Sequence, residues 1–303
     1  MTGRVVVVGD ALIDELRDDG GVREFVGGAA LNVAVGLSRL GVPATLIAMV
    51  GDDSAGAHIR AYLGDFGVEL LATPSPHGSS RAVSTRSGTG EPVYEFNEAA
   101  RGRRIHFGDA ERTAMAESAM VVVSCFPFDD VEQTLEFADA LSDTPLTIDP
   151  NPRTGMLHDR IRFVEGFEAL VPRASLVKVG EDDATLLYGE PLDTLRTRLI
   201  DLGADAVLAT YGAGGAAIDA GEDAVTAPIS DLPGRIVDTM GAGDAALSAT
   251  IAGLLEGTPA DAEEWSAVLK DAMDAAAATC RFEGALLRLP SALQSEDLDR
   301  LGT

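Results

Sequence analysis

Residues 5–10 read Val5-Val6-Val7-Val8-Gly9-Asp10, residues 29–41 read Ala29-Ala30-Leu31-Asn32-Val33-Ala34-Val35-Gly36-Leu37-Ser38-Arg39-Leu40-Gly41, and residues 44–50 read Ala44-Thr45-Leu46-Ile47-Ala48-Met49-Val50. The first block is short, apolar and β-branched, as a strand buried on both faces must be. The second has apolar residues at helical spacing and stops at a glycine. The third is strand-like again. Strand, helix and strand in succession form the unit from which parallel sheets are built. The alternation continues with a helix over 55–66, strands over 121–125, 146–148, 175–179 and 206–210, and helices over 131–141 and 192–202. Two long helical patterns, 245–256 and 262–281, close the chain. The pattern predicts an α/β fold, with a mostly parallel central sheet between two layers of helices.

One segment interrupts it. Arg81-Ala82-Val83-Ser84-Thr85-Arg86 and Pro92-Val93-Tyr94-Glu95-Phe96 flank Gly88 and Gly90. Two alternating stretches around a glycine-rich turn predict a hairpin. It lies between two α/β units, so residues 79–99, with a contribution from 10–26, are expected to form a small β flap on one domain spanning 1–303. The Pro- and Ser-containing stretch Thr73–Ser80 is a hinge candidate.

Composition excludes several classes of function. The chain has 303 residues, 23 Lys+Arg and 49 Asp+Glu, hence 23 − 49 = −26. Such a chain repels phosphate backbones and anionic membrane surfaces, so neither nucleic acid nor membrane is an expected partner. Only Lys178 and Lys270 are lysines; the other bases are arginines. Compositional bias or a salty habitat accounts for that. Two cysteines, Cys125 and Cys280, offer no disulfide framework, and no apolar run is long enough for a membrane span, so a cytoplasmic location is expected. A protein this acidic can hold an anionic ligand only where some local feature reverses its field.

Asp238-Thr239-Met240-Gly241-Ala242-Gly243-Asp244 supplies such a feature, ahead of a helix starting near Ala242. Small residues before a helix leave backbone N–H groups open to an anion, and the helix dipole assists. Asp244 stands where a carboxylate can take a proton from a nucleophile approaching that anion, the arrangement phosphoryl transfer to an alcohol requires. The plainer reading makes Asp244 an acid at a helix N-terminus with no further role.

Asp-Thr-x-Gly-Ala-Gly-Asp resembles the C-terminal signature of the ribokinase-like (PfkB) sugar kinases. Gly27-Gly28-Ala29-Ala30-Leu31-Asn32-Val33-Ala34 resembles the N-terminal one, and Gly9-Asp10-Ala11-Leu12-Ile13-Asp14 resembles the first strand with its sugar-binding Asp. Gly51-Asp52-Asp53, Asp149-Pro150-Asn151-Pro152-Arg153, Val177-Lys178-Val179, Gly212-Ala213-Gly214-Gly215 and Gly284-Ala285 follow in family order. The resemblance spans nearly the whole chain. It implies a ribokinase-like three-layer sandwich with a β lid, and an ATP-dependent kinase. By resemblance Asp244 is the base, with Gly241, Ala242 and Gly243 forming the anion hole. Asp14, Gly27, Gly28, Asn32 and Arg153 then belong to the substrate side, and Lys178, Thr210, Gly212 and Gly215 to the nucleotide side. Gly215 also reads as a turn glycine and Arg153 as a surface arginine. Mg²⁺ is implied, with K⁺ held by carbonyls near Asp238 and residues 281–284, and a homodimer through the lid.

Two departures stand out. Where the family has Asn-x-x-Glu, this chain has Gly180-Glu181-Asp182-Asp183, so Asp183 is left to hold a metal-bound water. After the catalytic Asp it has Ala245-Ala246 in place of Ala-Phe. Among sub-branches the motifs look most like fructokinases and also resemble 2-keto-3-deoxygluconate kinases. The acid-substrate branch carries an aromatic–Arg clamp in the flap. Here the flap reads Tyr94-Glu95-Phe96-Asn97-Glu98, and Glu98 would repel an acid, which favours a neutral hexose, fructose first. Arg101, Arg103 and Arg104 close by weaken that contrast. A keto-acid or nucleoside acceptor is the alternative, and the altered Gly180 and Asp183 positions motivate another class, a non-catalytic sugar- or nucleotide-sensing protein.

Overall fold

The computed structural model describes residues 3–18, 21–85 and 93–294. Among the described residues, thirteen strands form two sheets. They are β1 (Val5–Gly9), β2 (Leu12–Asp18), β3 (Gly21–Gly27), β4 (Ala44–Val50), β5 (Glu69–Pro74), β6 (Ser80–Thr85), β7 (Val93–Phe96), β8 (Met120–Ser124), β9 (Leu146–Asp149), β10 (Ala174–Gly180), β11 (Ala206–Thr210), β12 (Ala216–Ala220) and β13 (Asp223–Ala227). The helices are α1 (Ala29–Arg39), α2 (Ser54–Asp65), α3 (Glu98–Arg101), α4 (Asp109–Ala116), α5 (Val131–Ala140), α6 (Arg160–Leu170), the short turn α7 (Glu181–Asp183), α8 (Leu192–Asp201), α9 (Ala242–Glu256) and α10 (Ala262–Thr279).

The large sheet runs β13-β12-β11-β10-β9-β8-β1-β4-β5. It is parallel from β5 through β11; β12 and β13 are added antiparallel. Period-2 alternation explains the layers. Val5 and Val7 point into one core with Leu31, Val33 and Leu37 of α1, Leu247 and Ile251 of α9, and Trp265 and Leu269 of α10. Val6 and Val8 point into the other, with Phe137 of α5, Phe163 and Phe167 of α6, and Leu195 and Leu199 of α8. All four valines are fully buried, so each side chain contributes roughly 1.5–3 kcal/mol of transfer free energy.

The smaller sheet, β3-β2-β6-β7, contains the expected hairpin as antiparallel β6 and β7, with the expected contribution from the region of residues 10–26 as β2 and β3. Its turn glycines, Gly88 and Gly90, and the side chain of Tyr94 lie outside the described residues. The 73–80 stretch is partly strand: β5 ends at Pro74, and the chain crosses from there to the smaller sheet. Asp53 secures the crossing. It caps α2 at Gly56 N (2.8 Å) and accepts from Ser79 N (2.8 Å) and Ser79 Oγ (2.7 Å).

Candidate active site

In open α/β sheets ligands bind beyond the carboxyl ends of the strands, and here the polar residues concentrate at that edge. Asp10 follows β1, Ser124 and Asp149 end β8 and β9, Lys178 and Gly180 close β10, and Thr210 ends β11. Ser124, Asp149 and Lys178 form a buried chain. Ser124 Oγ donates to Asp149 Oδ2 (2.7 Å), and Asp149 Oδ1 accepts from Lys178 Nζ (3.1 Å). Lys178 lies under the glycine turn; a methyl group added at Gly243 would be 3.3 Å from its Nζ. The lysine thus lies beside the glycine turn, on the strand that pairs with Thr210 through Gly180.

Helix α9 begins at Ala242, three residues before the periodic apolar pattern, with Gly241 as its N-cap at φ 73°. This is the left-handed region that glycine tolerates. Ala285 also leaves no room for a side chain: a methyl at Gly241 would lie 2.7 Å from it. Asp238 braces the turn from below. It accepts from Met240 N (3.0 Å) and from Gly284 N (3.1 Å), which ties the two segments expected around a monovalent cation to each other. The Cys280 carbonyl there already accepts from Val237 N and Asp238 N.

Asp244 is the third residue of α9 and only 8% exposed. Asn32 Nδ2 donates to its Oδ2 at 2.8 Å, joining residues from opposite ends of the chain. Burial pushes the Asp244 carboxyl up to about 6, as does Asp149, against the pull of Lys178, the Asn32 hydrogen bond and Arg153. One turn deeper the two helices touch. A methyl on Gly36 of α1 would lie 2.5 Å from Ser248 Oγ of α9, and that hydroxyl donates to Asp244 O (2.7 Å) and Val33 O (3.4 Å).

Gly28 caps α1 at φ 109°, with Asp10 O within 2.8 Å of where a side chain would start. Asp10 Oδ1 accepts from Ala30 N (3.0 Å). The side chain of Asp14, on β2, fills the space that a side chain at Gly27 would need. Its carboxyl is raised to about 7, first by burial and then by Asp10. In the smaller sheet Asp14, Phe25, Ala82 and Phe96 sit at one register level. Phe96 packs over Gly155 and with Met156, whereas Phe25 approaches Gly284. Arg23 pairs with Glu283, another link from the smaller sheet to the loop beside Gly241.

Arg153 is exposed and acts electrostatically on Asp10, Asp14, Asp183 and Asp244. Its guanidinium has no hydrogen bond or ion pair among the described residues. Asp183 is buried; its Oδ2 accepts from Gly180 N (2.7 Å), and burial raises its carboxyl. No three of His, Cys, Asp or Glu converge as a metal cage among the described residues. The donors near Lys178 are single carboxylates, the hard oxygen ligands that suit Mg²⁺ held through water.

Thr210 ends β11 next to Gly180. Gly212 (φ 52°) and Gly215 (φ 93°) shape the following turn, and a side chain at Gly215 would collide with Ala227 O. The connection to β12 therefore suffices to require glycine at 215. The Glu98 carboxylate is 73% exposed and lies 3.6 Å from His77 Nδ1. Arg104 is occupied by Asp130, Glu132 and Glu136, and Arg103 is buried against the carbonyls of Cys125 and Ala100. Sequence reasoning gave no separate role to Asp10, Asp149 or Cys125. The signal for them was a polar residue at the end of an apolar strand. Cys125 (φ 50°) and Asn151 (φ 40°) hold left-handed conformations at the ends of adjacent strands, the kind of backbone cost concentrated at functional sites.

Comparisons with known proteins agree with this fold. The "ATP-dependent 6-phosphofructokinase" of Thermoanaerobacterium thermosaccharolyticum is 26% identical over 270 residues, covering 84% of this chain and 82% of the relative. The "Fructokinase" of Klebsiella pneumoniae is 27% identical over 315 residues and 99% of both chains. The crystal structure of aminoimidazole riboside kinase from Salmonella enterica, complexed with aminoimidazole riboside and an ATP analog, superposes with a TM-score of 0.77 at 24% identity, covering 96% of this chain and 98% of that one. Residues 3–292 match the pfkB family carbohydrate kinases. The chain is a kinase of ribokinase-like fold and belongs to the PfkB carbohydrate kinase family.

Proposed function

We propose that this phosphotransferase moves the γ-phosphoryl group of ATP to a primary hydroxyl of a ketohexose, fructose first among them. The observation that carries the reading is the 2.8 Å hydrogen bond between Asn32, from the sugar-side motif, and Asp244, from the anion turn. It joins acceptor recognition to a buried base. Asp244 takes the hydroxyl proton; the sugar oxygen bonds to the γ-phosphorus; the bond to the β-phosphate oxygen breaks; sugar phosphate and ADP leave. The amides of Gly241, Ala242 and Gly243, at the positive end of α9, meet the developing charge, and Lys178 adds a cation beneath them. Asp14, Gly28 and Asn32 bind sugar hydroxyls, with Gly27 leaving room for Asp14. Arg153, without a hydrogen bond or ion pair among the described residues, faces the phosphate or the substrate. Thr210, Gly212 and Gly215 line the nucleotide.

Asp183 would hold Mg²⁺ through a water, the ion supplying positive charge to the phosphates, and carbonyls near Asp238 and residues 281–284 would hold K⁺. The smaller sheet serves as the lid of a single kinase domain and as the contact of a homodimer, for which Val22, 61% exposed on β3, supplies an apolar residue. Among the described residues no helix is long and apolar enough to cross a membrane, which is compatible with a cytoplasmic enzyme.

A second reading keeps the chemistry and changes the acceptor to 2-keto-3-deoxygluconate or a nucleoside. The unpaired Arg153 favours it, because a substrate carboxylate would find a cation there. A non-catalytic sensor has no need of the buried Asp244 or of the strained Gly241 turn. ADP release with fructose, fructose 6-phosphate, 2-keto-3-deoxygluconate and a riboside panel tests these readings; no turnover with any acceptor would remove the kinase role. Asp244→Asn should retain sugar binding and lose at least about a thousandfold in kcat.

A further inference from the structure

Arg39 and Arg288 lack the carboxylate partner that many other arginines of this surface have. Acids outnumber bases more than twofold, and many surface arginines are matched to carboxylates, Arg4 to Glu69, Arg112 to Asp139 and Arg198 to Glu168 among them. The guanidinium groups of Arg39, the last residue of α1, and Arg288 have no hydrogen bond or ion pair among the described residues. They neighbour one another instead. Leu287 packs on Gly36 (3.3 Å from a methyl placed there), which brings Arg288 to the C-terminal end of α1. After burial, Arg39 is the next influence holding the Arg288 guanidinium below its ordinary proton affinity, and no carboxylate counters it. Tyr62 of α2 feels both arginines.

Aromatic rings hold the group in place. Arg39 lies 5.9 Å from the Phe66 ring centroid, Phe66 meets Tyr62 edge-on at 4.9 Å, and Arg288 stacks 4.8 Å from Phe282. The Arg288 Nε is buried and lacks a hydrogen-bond partner. Each arginine has a plainer account taken singly: a cation suits a helix C-terminus, and a guanidinium gains by stacking. Neither account explains two like charges held together, without an acid among the described residues, in a chain of net charge −26.

We propose that Arg39, Arg288 and Tyr62 form a binding site for a phosphate-type oxyanion, at the opposite end of α1 from Gly28 and the catalytic cleft. Two guanidinium forks offer paired N–H donors to a tetrahedral oxyanion, and the Tyr62 hydroxyl offers one more. A doubly charged group neutralises the repulsion that the empty pair sustains. The site is about 10 Å along the helix from Asn32, seven residues on, at about 1.5 Å each. It stands apart from the kinase reading.

Calorimetric titration of the full chain with inorganic phosphate, and separately with glycerol phosphate, at constant ionic strength tests the proposal. A saturable heat is expected that survives Arg153→Gln and weakens at least about tenfold in both Arg39→Gln and Arg288→Gln. Tighter binding of glycerol phosphate would identify a phosphomonoester as the ligand, and equal binding the free ion. Arg39 is exposed at a helix end, so Arg39→Gln decides the matter should Arg288→Gln fail to fold. No saturable heat at millimolar phosphate, or a heat lost in Arg153→Gln and intact in Arg39→Gln, overturns the proposal.

Discussion

Replacing Asn32 by alanine removes the side-chain donor to Asp244 and should change the base itself as well as sugar affinity. The Asp244 carboxyl stands at about 6, raised by burial and Asp149 and restrained by Lys178, Asn32 and Arg153. A hydrogen bond to a charged group contributes about 1.5–3 kcal/mol, and one pH unit corresponds to about 1.4 kcal/mol. Loss of the bond therefore raises the carboxyl by about one to two pH units. The base works ionised, so kcat/KM, which reports the free enzyme, falls on the acid side of that value. The acid limb should move from near pH 6 to about pH 7–8 in Asn32→Ala. ADP is best quantified directly across the pH series, so that no coupling enzyme adds a pH dependence of its own. A KM rise that persists where both proteins are ionised reads the lost sugar contact separately. An unmoved limb with only KM raised would refute the reasoning: Asn32 would then serve the sugar and not the base.

Lys178→Met leaves Asp149 charged and buried without its partner, and breaking such a pair costs about 3–5 kcal/mol; a melting temperature within a degree or two of the parent would contradict this. Stability and activity should respond to pH in opposite senses. Asp14 (about 7), Asp244 (about 6) and the likewise raised Asp183 bind protons in the folded chain between about pH 4 and 7, where unfolded carboxylates have released theirs. Because the folded state binds more protons in that window, stability falls as pH rises through it. The ligand-free chain should melt higher at pH 5 than at pH 8, and the reverse order would count against the raised carboxyls. Raising KCl from 0.1 M to 1 M shortens the screening length from about 10 Å to about 3 Å. At a net charge of −26 that should raise the melting temperature, and NaCl should do the same; a rise with KCl alone would point to a specific potassium site.

Legibility followed burial. The parallel core was readable because strands such as β1 and β4 are buried on both faces and composed of β-branched and aliphatic residues throughout. The antiparallel pair β12 and β13 was not, since Ala-Ala-Ile-Asp-Ala and Asp-Ala-Val-Thr-Ala have too little apolar alternation to read as strands. Strands β2 and β3 fell in a stretch expected to contribute to the flap, yet Leu-Ile-Asp-Glu-Leu-Arg-Asp and Gly-Val-Arg-Glu-Phe-Val-Gly carry charges on what is largely an open sheet, so their pairing came only from the structure. At the site, Asp244, Asn32 and the glycine turn were visible as motifs. Partnerships were not: nothing local links Lys178 to Asp149, because that bond depends on which strands become neighbours. Glu98 is the converse case, adjacent in sequence to the flap aromatics but directed to His77 and solvent.

The contact between Gly36 and Ser248 works as a spacer gauge. Asn32 and Asp244 each stand four residues, one helical turn, before it on their own helices. Their 2.8 Å separation is therefore transmitted from a dry interhelical seam, with little dependence on the loops that meet the ligand. One methyl group wedged into that seam, as in Gly36→Ala, would spread the two helix tips proposed to carry acceptor recognition and proton removal, while every residue proposed to touch substrate kept its identity. The reach of this enzyme toward its acceptor can thus be retuned from a position that no substrate ever meets.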